Sequence, residues 1–133
     1  MKFLKIVFLG YILCLFTNCV PDSDYYKKDT LRIVNNSNKD IYFSMRGKEP
    51  IFYDYPPSMD NLISANGFIE GRDTFRRSFL KGATPLYLWI FDREVIETIP
   101  WEQVKQNNMY LRRYDLTLEY LDAINWKIVY DGN

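Results

Sequence analysis

Residues 85–91, Pro-Leu-Tyr-Leu-Trp-Ile-Phe, are apolar at consecutive positions. Successive side chains of a β-strand point to opposite faces of the sheet. A strand with this composition is therefore stable only when both of its faces are covered. The run is short, rich in large hydrophobic residues, and closed by Asp92, which favours a buried strand over a helix. It is the best candidate for a central, doubly covered strand.

The remaining patterns are read around it. Residues 30–34 alternate, with Leu31 and Ile33 on one face, and Asn35-Asn36-Ser37-Asn38 forms a turn cluster. Residues 40–46 alternate again, with Ile41, Phe43 and Met45 opposite Tyr42, Ser44 and Arg46. Two alternating runs about a polar turn predict a β-hairpin with one buried face. Residues 47–66 carry Pro50, Pro56 and Pro57. This stretch is long for a loop, and predicts a functional excursion or a short irregular strand over 51–53. Residues 67–71 read as a further short strand. Asp73 is a plausible N-cap for a short helix over 74–80, closed by Gly82. Pro100 opens another short helix containing Trp101 and Val104, stopped at Asn107-Asn108. Residues 109–114 read as extended, and Thr117 caps a helical turn or two over 118–124. Trp126, Ile128 and Tyr130 share one face of a last strand. No repeat and no strand–long helix–strand alternation is present, which argues against a doubly wound sheet. The expectation is a mainly β or α+β fold. It takes the form of an antiparallel β-sandwich-like domain with short helices at its edge or ends.

The N-terminus has a different character. Lys2 and Lys5 precede an apolar stretch over 6–16. That stretch is shorter than the roughly 20 residues a membrane-spanning helix needs. It matches the length of a secretory signal core. Thr17-Asn18-Cys19 then resembles a lipobox, with Phe16 where Leu is usual and Leu15 displaced by one. Cys14 is a poor acceptor because Leu13 precedes it, and no Ala-x-Ala cleavage pattern is present. Ordinary secretion and an uncleaved anchor are the alternatives. The resulting division is a lipoprotein signal peptide over 1–18, an acidic tether over 19–29 and a single globular domain over 30–133. Lipid on Cys19 is expected to hold the protein at the membrane, since the two or three acyl chains of a lipoprotein Cys anchor stably where one does not. Asp22-Ser23-Asp24 looks like the surface-export signal of Bacteroidota lipoproteins, or is a solvated tether. Asp29-Thr30-Leu31 looks like the O-glycosylation acceptor of exported Bacteroidota proteins, with Thr30 as the acceptor.

A series further along carries a second resemblance. Phe91-Asp92, Trp101-Glu102, residues 111–118 (Leu-Arg-Arg-Tyr-Asp-Leu-Thr-Leu) and Asn125-Trp126 resemble a group of small Bacteroidota lipoproteins. The likeness covers the last third of the chain clearly, and the signal and hairpin loosely. It implies an outer-membrane lipoprotein, on the periplasmic or cell-surface side, with a compact domain. It carries over no activity and no active-site residue.

Composition narrows the chemistry. Cys14 and Cys19 are both claimed by the signal region, so the domain has no disulfide and must be held by packing. Loss of Lys2 and Lys5 with the signal leaves 15 basic against 17 acidic residues. No broad positive field exists, and nucleic acid is not an expected partner. The chain has no His, which removes the commonest general base and transition-metal ligand. No metal and no cofactor is expected. Ser58, Ser64 and Ser78 lack a Gly-x-Ser-x-Gly elbow, and Ser78 and Lys81 match Ser-x-x-Lys in spacing alone. Asp92, Glu94 and Glu97 follow the central strand as a calcium or acid/base candidate. The simpler reading is that Asp92 caps the next turn. Arg112-Arg113 offer an anion site, or one of them pairs with Asp115. Asp115 is itself a candidate for starting the Thr117 helix.

Tyr53 and Tyr55, beside Pro56 and Pro57, are the preferred candidate binding surface, because loop aromatics serve recognition. Folding back onto the core is the competing reading. The functional expectation is a membrane-anchored, non-catalytic interaction or accessory module binding a protein or a glycan. The alternative is a small glycosidase-like hydrolase using Asp92 and Glu94.

Overall fold

A computed structural model of the chain describes residues 30–47, 49–71, 77, 82 and 85–133. The fold is mixed α+β. Its strands are β1 (Arg32–Asn35), β2 (Ile41–Gly47), β3 (Leu62–Ile63), β4 (Phe68–Ile69), β5 (Leu86–Asp92), β6 (Arg112–Leu116) and β7 (Lys127–Tyr130). Three short helices are described: α1 (Arg93–Thr98), α2 (Trp101–Gln106) and α3 (Leu118–Ala123). The strands form two sheets, in the orders β4-β1-β7 and β3-β2-β5-β6. Every pairing among these strands is antiparallel except β1 with β7, which is parallel.

The central strand behaves as its sequence requires. On one face of β5, Leu86, Leu88 and Ile90 join Ile33, Phe43, Leu116, Leu121, Trp126 and Ile128 in a core lying between the two sheets. On its other face, Trp89 and Phe91 join Tyr42 and Val104 in a second core. Phe52, Ile96, Ile99 and Trp101 pack against that second core. The layers run from the three-stranded sheet, through the four-stranded sheet, to a cover of α1, α2 and the loop carrying Phe52. Full burial of a side chain of this size contributes roughly 1.5–3 kcal/mol.

The helices are placed by local signals. The Asp92 carboxylate accepts from the Glu94 N–H at 2.8 Å and starts α1. Thr117 Oγ1 accepts from the Tyr120 N–H at 3.1 Å and starts α3. Pro100 stands immediately before α2, and Asn107 and Asn108 follow it, Asn108 with φ of 49°. The expected helix over 74–80, with its Asp73 cap, lies outside the described residues apart from Arg77.

The hairpin expected from residues 30–46 does not form. β1 pairs with β4 and β7, β2 pairs with β3 and β5, and the polar turn carries the chain from one sheet to the other. Asn35 is the reason. Its side chain is fully buried. Its amide donates to the carbonyls of Lys39 (2.7 Å), Ile63 (3.2 Å) and Ser64 (3.1 Å). Its Oδ1 accepts from Ser37 N and Oγ. A carboxamide satisfied in this way fixes a sheet-to-sheet crossing, where a two-strand turn would have left it in water. In consequence β2 is buried on both faces, with Tyr42 and Ser44 inside as well as Ile41 and Phe43. The strand expected over 51–53 is also absent.

A candidate binding surface on the aromatic loop

The loop between β2 and the 3-10 turn Met59–Asn61 is pinned from within. Phe52 points into the second core, with ring centroids 5.0 Å from Trp89, 5.8 Å from Phe91 and 5.8 Å from Trp101. Two polar contacts hold the backbone on either side of that plug. Trp101 Nε1 donates to the Tyr53 carbonyl at 2.9 Å, and Arg46 Nη1 to the Phe52 carbonyl at 3.3 Å. Both donors belong to regular elements, so the loop inherits their rigidity.

Tyr53 and Tyr55 sit outside this plug and are brought together. Their rings stack with centroids 5.4 Å apart and planes 14° from parallel. The Tyr53 hydroxyl donates to the Met45 carbonyl at 3.0 Å. The Arg46 guanidinium lies 5.0 Å from the Tyr53 ring, a cation–π contact. Tyr53 is thereby fixed from two sides, while Tyr55 is 67% exposed. Ile51 on the same loop and Met59 at the start of the following 3-10 turn are exposed as well. The two readings of the loop thus divide between residues. Phe52 folds onto the core, and Tyr55 faces solvent. From the sequence, Arg46 is placed on a strand and Trp101 on a short helix, but neither, nor Phe52, is given a part in the loop. The sole hint was an apolar residue flanked by Ile51 and Tyr53 in an otherwise polar stretch.

Two of the carboxylates beyond β5, Asp92 and Glu97, are engaged with neighbours. Besides capping α1, Asp92 Oδ2 lies 3.3 Å from Lys39 Nζ. Glu97 pairs with Arg93 at 2.8 Å and accepts from the Tyr42 hydroxyl at 3.3 Å. Burial and that nearby carboxylate raise the Tyr42 phenol above its ordinary value. Arg93 also reaches Asp40 at 2.9 Å. The Asp40 carboxyl is held below its usual range, first by the Ala65 N–H and then by Arg93. Among the described residues no group of three His, Cys, Asp or Glu side chains is placed to hold a metal. Arg113 grips Asp115 at 2.7 and 2.8 Å, so Asp115 is committed to a strand-surface ion pair and not to the Thr117 helix. Arg112 lies 5.8 Å from the Tyr114 ring.

The other sequence candidates fall at the margins. Cys19, Asp22, Ser23, Asp24, Ser78 and Lys81 lie outside the described residues. Thr30 is half-buried at the start of the described chain. Among the described residues no helix is long and apolar enough to cross a membrane. No protein-family model, no curated protein and no solved structure matches the chain.

Proposed function

We propose that the protein is a lipid-anchored module of the cell envelope whose aromatic loop binds a partner and performs no catalysis. One observation carries the reading: a stacked tyrosine pair on a pinned loop, with its outer ring exposed. Preorganised aromatics lose little conformational freedom on binding, which is why Tyr is enriched among residues that dominate interfaces. Exposed Ile51 on the same loop and Met59 just after it favour a protein partner, since aromatic residues and Met are enriched at such surfaces. The near-parallel ring pair favours a glycan as the second reading, because a sugar ring stacks on a flat aromatic face. The hydrolase alternative is weaker. One of its two carboxylates, Asp92, already caps a helix and pairs with Lys39. Lipidation at Cys19, from the lipobox-like Thr17-Asn18-Cys19, supplies the location.

The test compares wild type with Tyr53→Ala and Tyr55→Ala in a glycan array and in crosslinking capture from envelope fractions. Loss of capture by Tyr55→Ala with unchanged thermal stability is expected. Unchanged capture by both variants would remove the loop as the binding surface.

A further inference from the structure

The three-stranded sheet presents its outer face to solvent, on the side of the molecule away from the aromatic loop. Strand register defines what that face carries. Val34 is directly opposite Phe68 on one side and Val129 on the other, so the three form one row across the sheet. Phe68 is 53% exposed and Val129 43%. One step along β1 in this alternation, Arg32 is directly opposite Lys127. Like charges opposed on neighbouring strands are unfavourable in the absence of a counter-charge. Arg32 is partly offset, with its guanidinium 3.8 Å over the Phe68 ring and 3.7 Å from Glu70. Lys127 is exposed. The face therefore combines an apolar row with the Arg32–Glu70 ion pair and an exposed Lys127 beside it.

The geometry points to an anionic lipid surface as its occupant, an inference that rests on the proposed anchoring at Cys19. Two arguments select this occupant. The first is chemistry. An aromatic and aliphatic patch bordered by Arg and Lys matches the interfacial zone of a bilayer, where apolar groups enter the headgroup boundary and basic groups meet phosphates. The second is connectivity. β1, which carries Val34 and Arg32, is the strand nearest Cys19 in the chain. Residues 20–29 between them reach roughly 35 Å at most, so a lipid at Cys19 confines this strand to the neighbourhood of the membrane. At that effective concentration a weak contact is enough to orient the domain. Phe68, Val34 and Val129 then lie toward the headgroups, with Lys127 on phosphate. The side bearing Tyr55 faces outward.

The experiment uses the full chain, extracted from membranes, with the mass of the Cys19 peptide measured in the same preparation. Val129→Cys and, as a reference on α2, Glu102→Cys are labelled with a polarity-sensitive dye. Both proteins are then placed in vesicles of phosphatidylglycerol or of phosphatidylcholine. The expected result is a blue-shifted, quencher-protected label at 129 on phosphatidylglycerol and not at 102. Each basic side chain near an anionic surface changes affinity roughly fivefold, so Lys127→Glu should lower the ratio of protected to exposed label at least that much, and added salt should lower it as well. Equal exposure at 129 and 102 would overturn the inference. So would protection that ignores headgroup charge, or protection in detergent that rises with protein concentration and reports a second copy. An unmodified Cys19 peptide would overturn the anchor reading separately, and is visible in the mass alone.

Discussion

Asn35 shows how one side chain decides a topology. Its carboxamide bonds three carbonyls and two Ser37 groups inside a fully buried site. Replacing it by Ala strands several of those groups, each at a cost of about 1–3 kcal/mol. Asn35→Ala is therefore expected to lower unfolding stability by roughly 2–4 kcal/mol, measurable as a reduced urea midpoint at unchanged slope. Asn35→Asp should be no milder, because an ionised carboxylate accepts but cannot donate. Asp40 acts through charge at the same crossing. Its carboxylate receives the Ala65 N–H and the Arg93 guanidinium, and its folded pKa is lowered. A lowered folded value favours the folded state above the unfolded value of about 3.9. That contribution is lost as pH falls through the folded value. The difference in melting temperature between wild type and Asp40→Asn should thus be present near neutrality and vanish in acid below the folded value. A gap that widened on acidification would contradict the assignment.

At the scale of elements, what could be read in advance was what is decided locally. Thr117 caps the short helix expected of it, and Asp92, expected to cap a turn, starts α1, because a cap requires only its own residue and the next turn. Helices of six residues are too short to persist alone. Asp92→Ala and Thr117→Ala should each cost about 1 kcal/mol, read as a small drop in thermal midpoint. If Asp92→Ala instead left stability untouched and abolished a glycan-cleaving activity, the hydrolase reading would displace the binding one. The strand at 85–91 was equally legible, since a run apolar on both faces has few other homes. What was not legible is pairing. Residues 30–46 satisfy the pattern of a hairpin, yet the partners of β1 are Phe68–Ile69 and Lys127–Tyr130, far away in sequence. The pattern fixes which face is apolar and leaves open which strand lies alongside. The same limit hid Phe52, whose role exists only once Trp89, Phe91 and Trp101 have been gathered around it. Phe52→Ala should cost about 3–5 kcal/mol and release the loop, whereas Tyr55→Ala should leave stability within about 0.5 kcal/mol.

At the scale of the whole molecule, the layer order separates two surfaces. The aromatic loop covers the outer side of the four-stranded sheet, and the row of Phe68, Val34 and Val129 lies on the outer side of the three-stranded sheet. Two sheets and a shared core stand between them, with packed sheets spaced about 10 Å apart. Changes at sites so separated, with no common contact, combine additively. Lys127→Glu should therefore weaken docking to phosphatidylglycerol vesicles and leave partner capture in solution unchanged. Tyr55→Ala should do the reverse. In the double variant each assay should then show the loss of the corresponding single variant, to within about 0.5 kcal/mol. Vesicle flotation and capture measured on the same four proteins provide the cycle. A coupling well beyond that margin would mean that loop and sheet face belong to one surface. Independence would leave a domain held on one side and available on the other, as an anchored binding module requires.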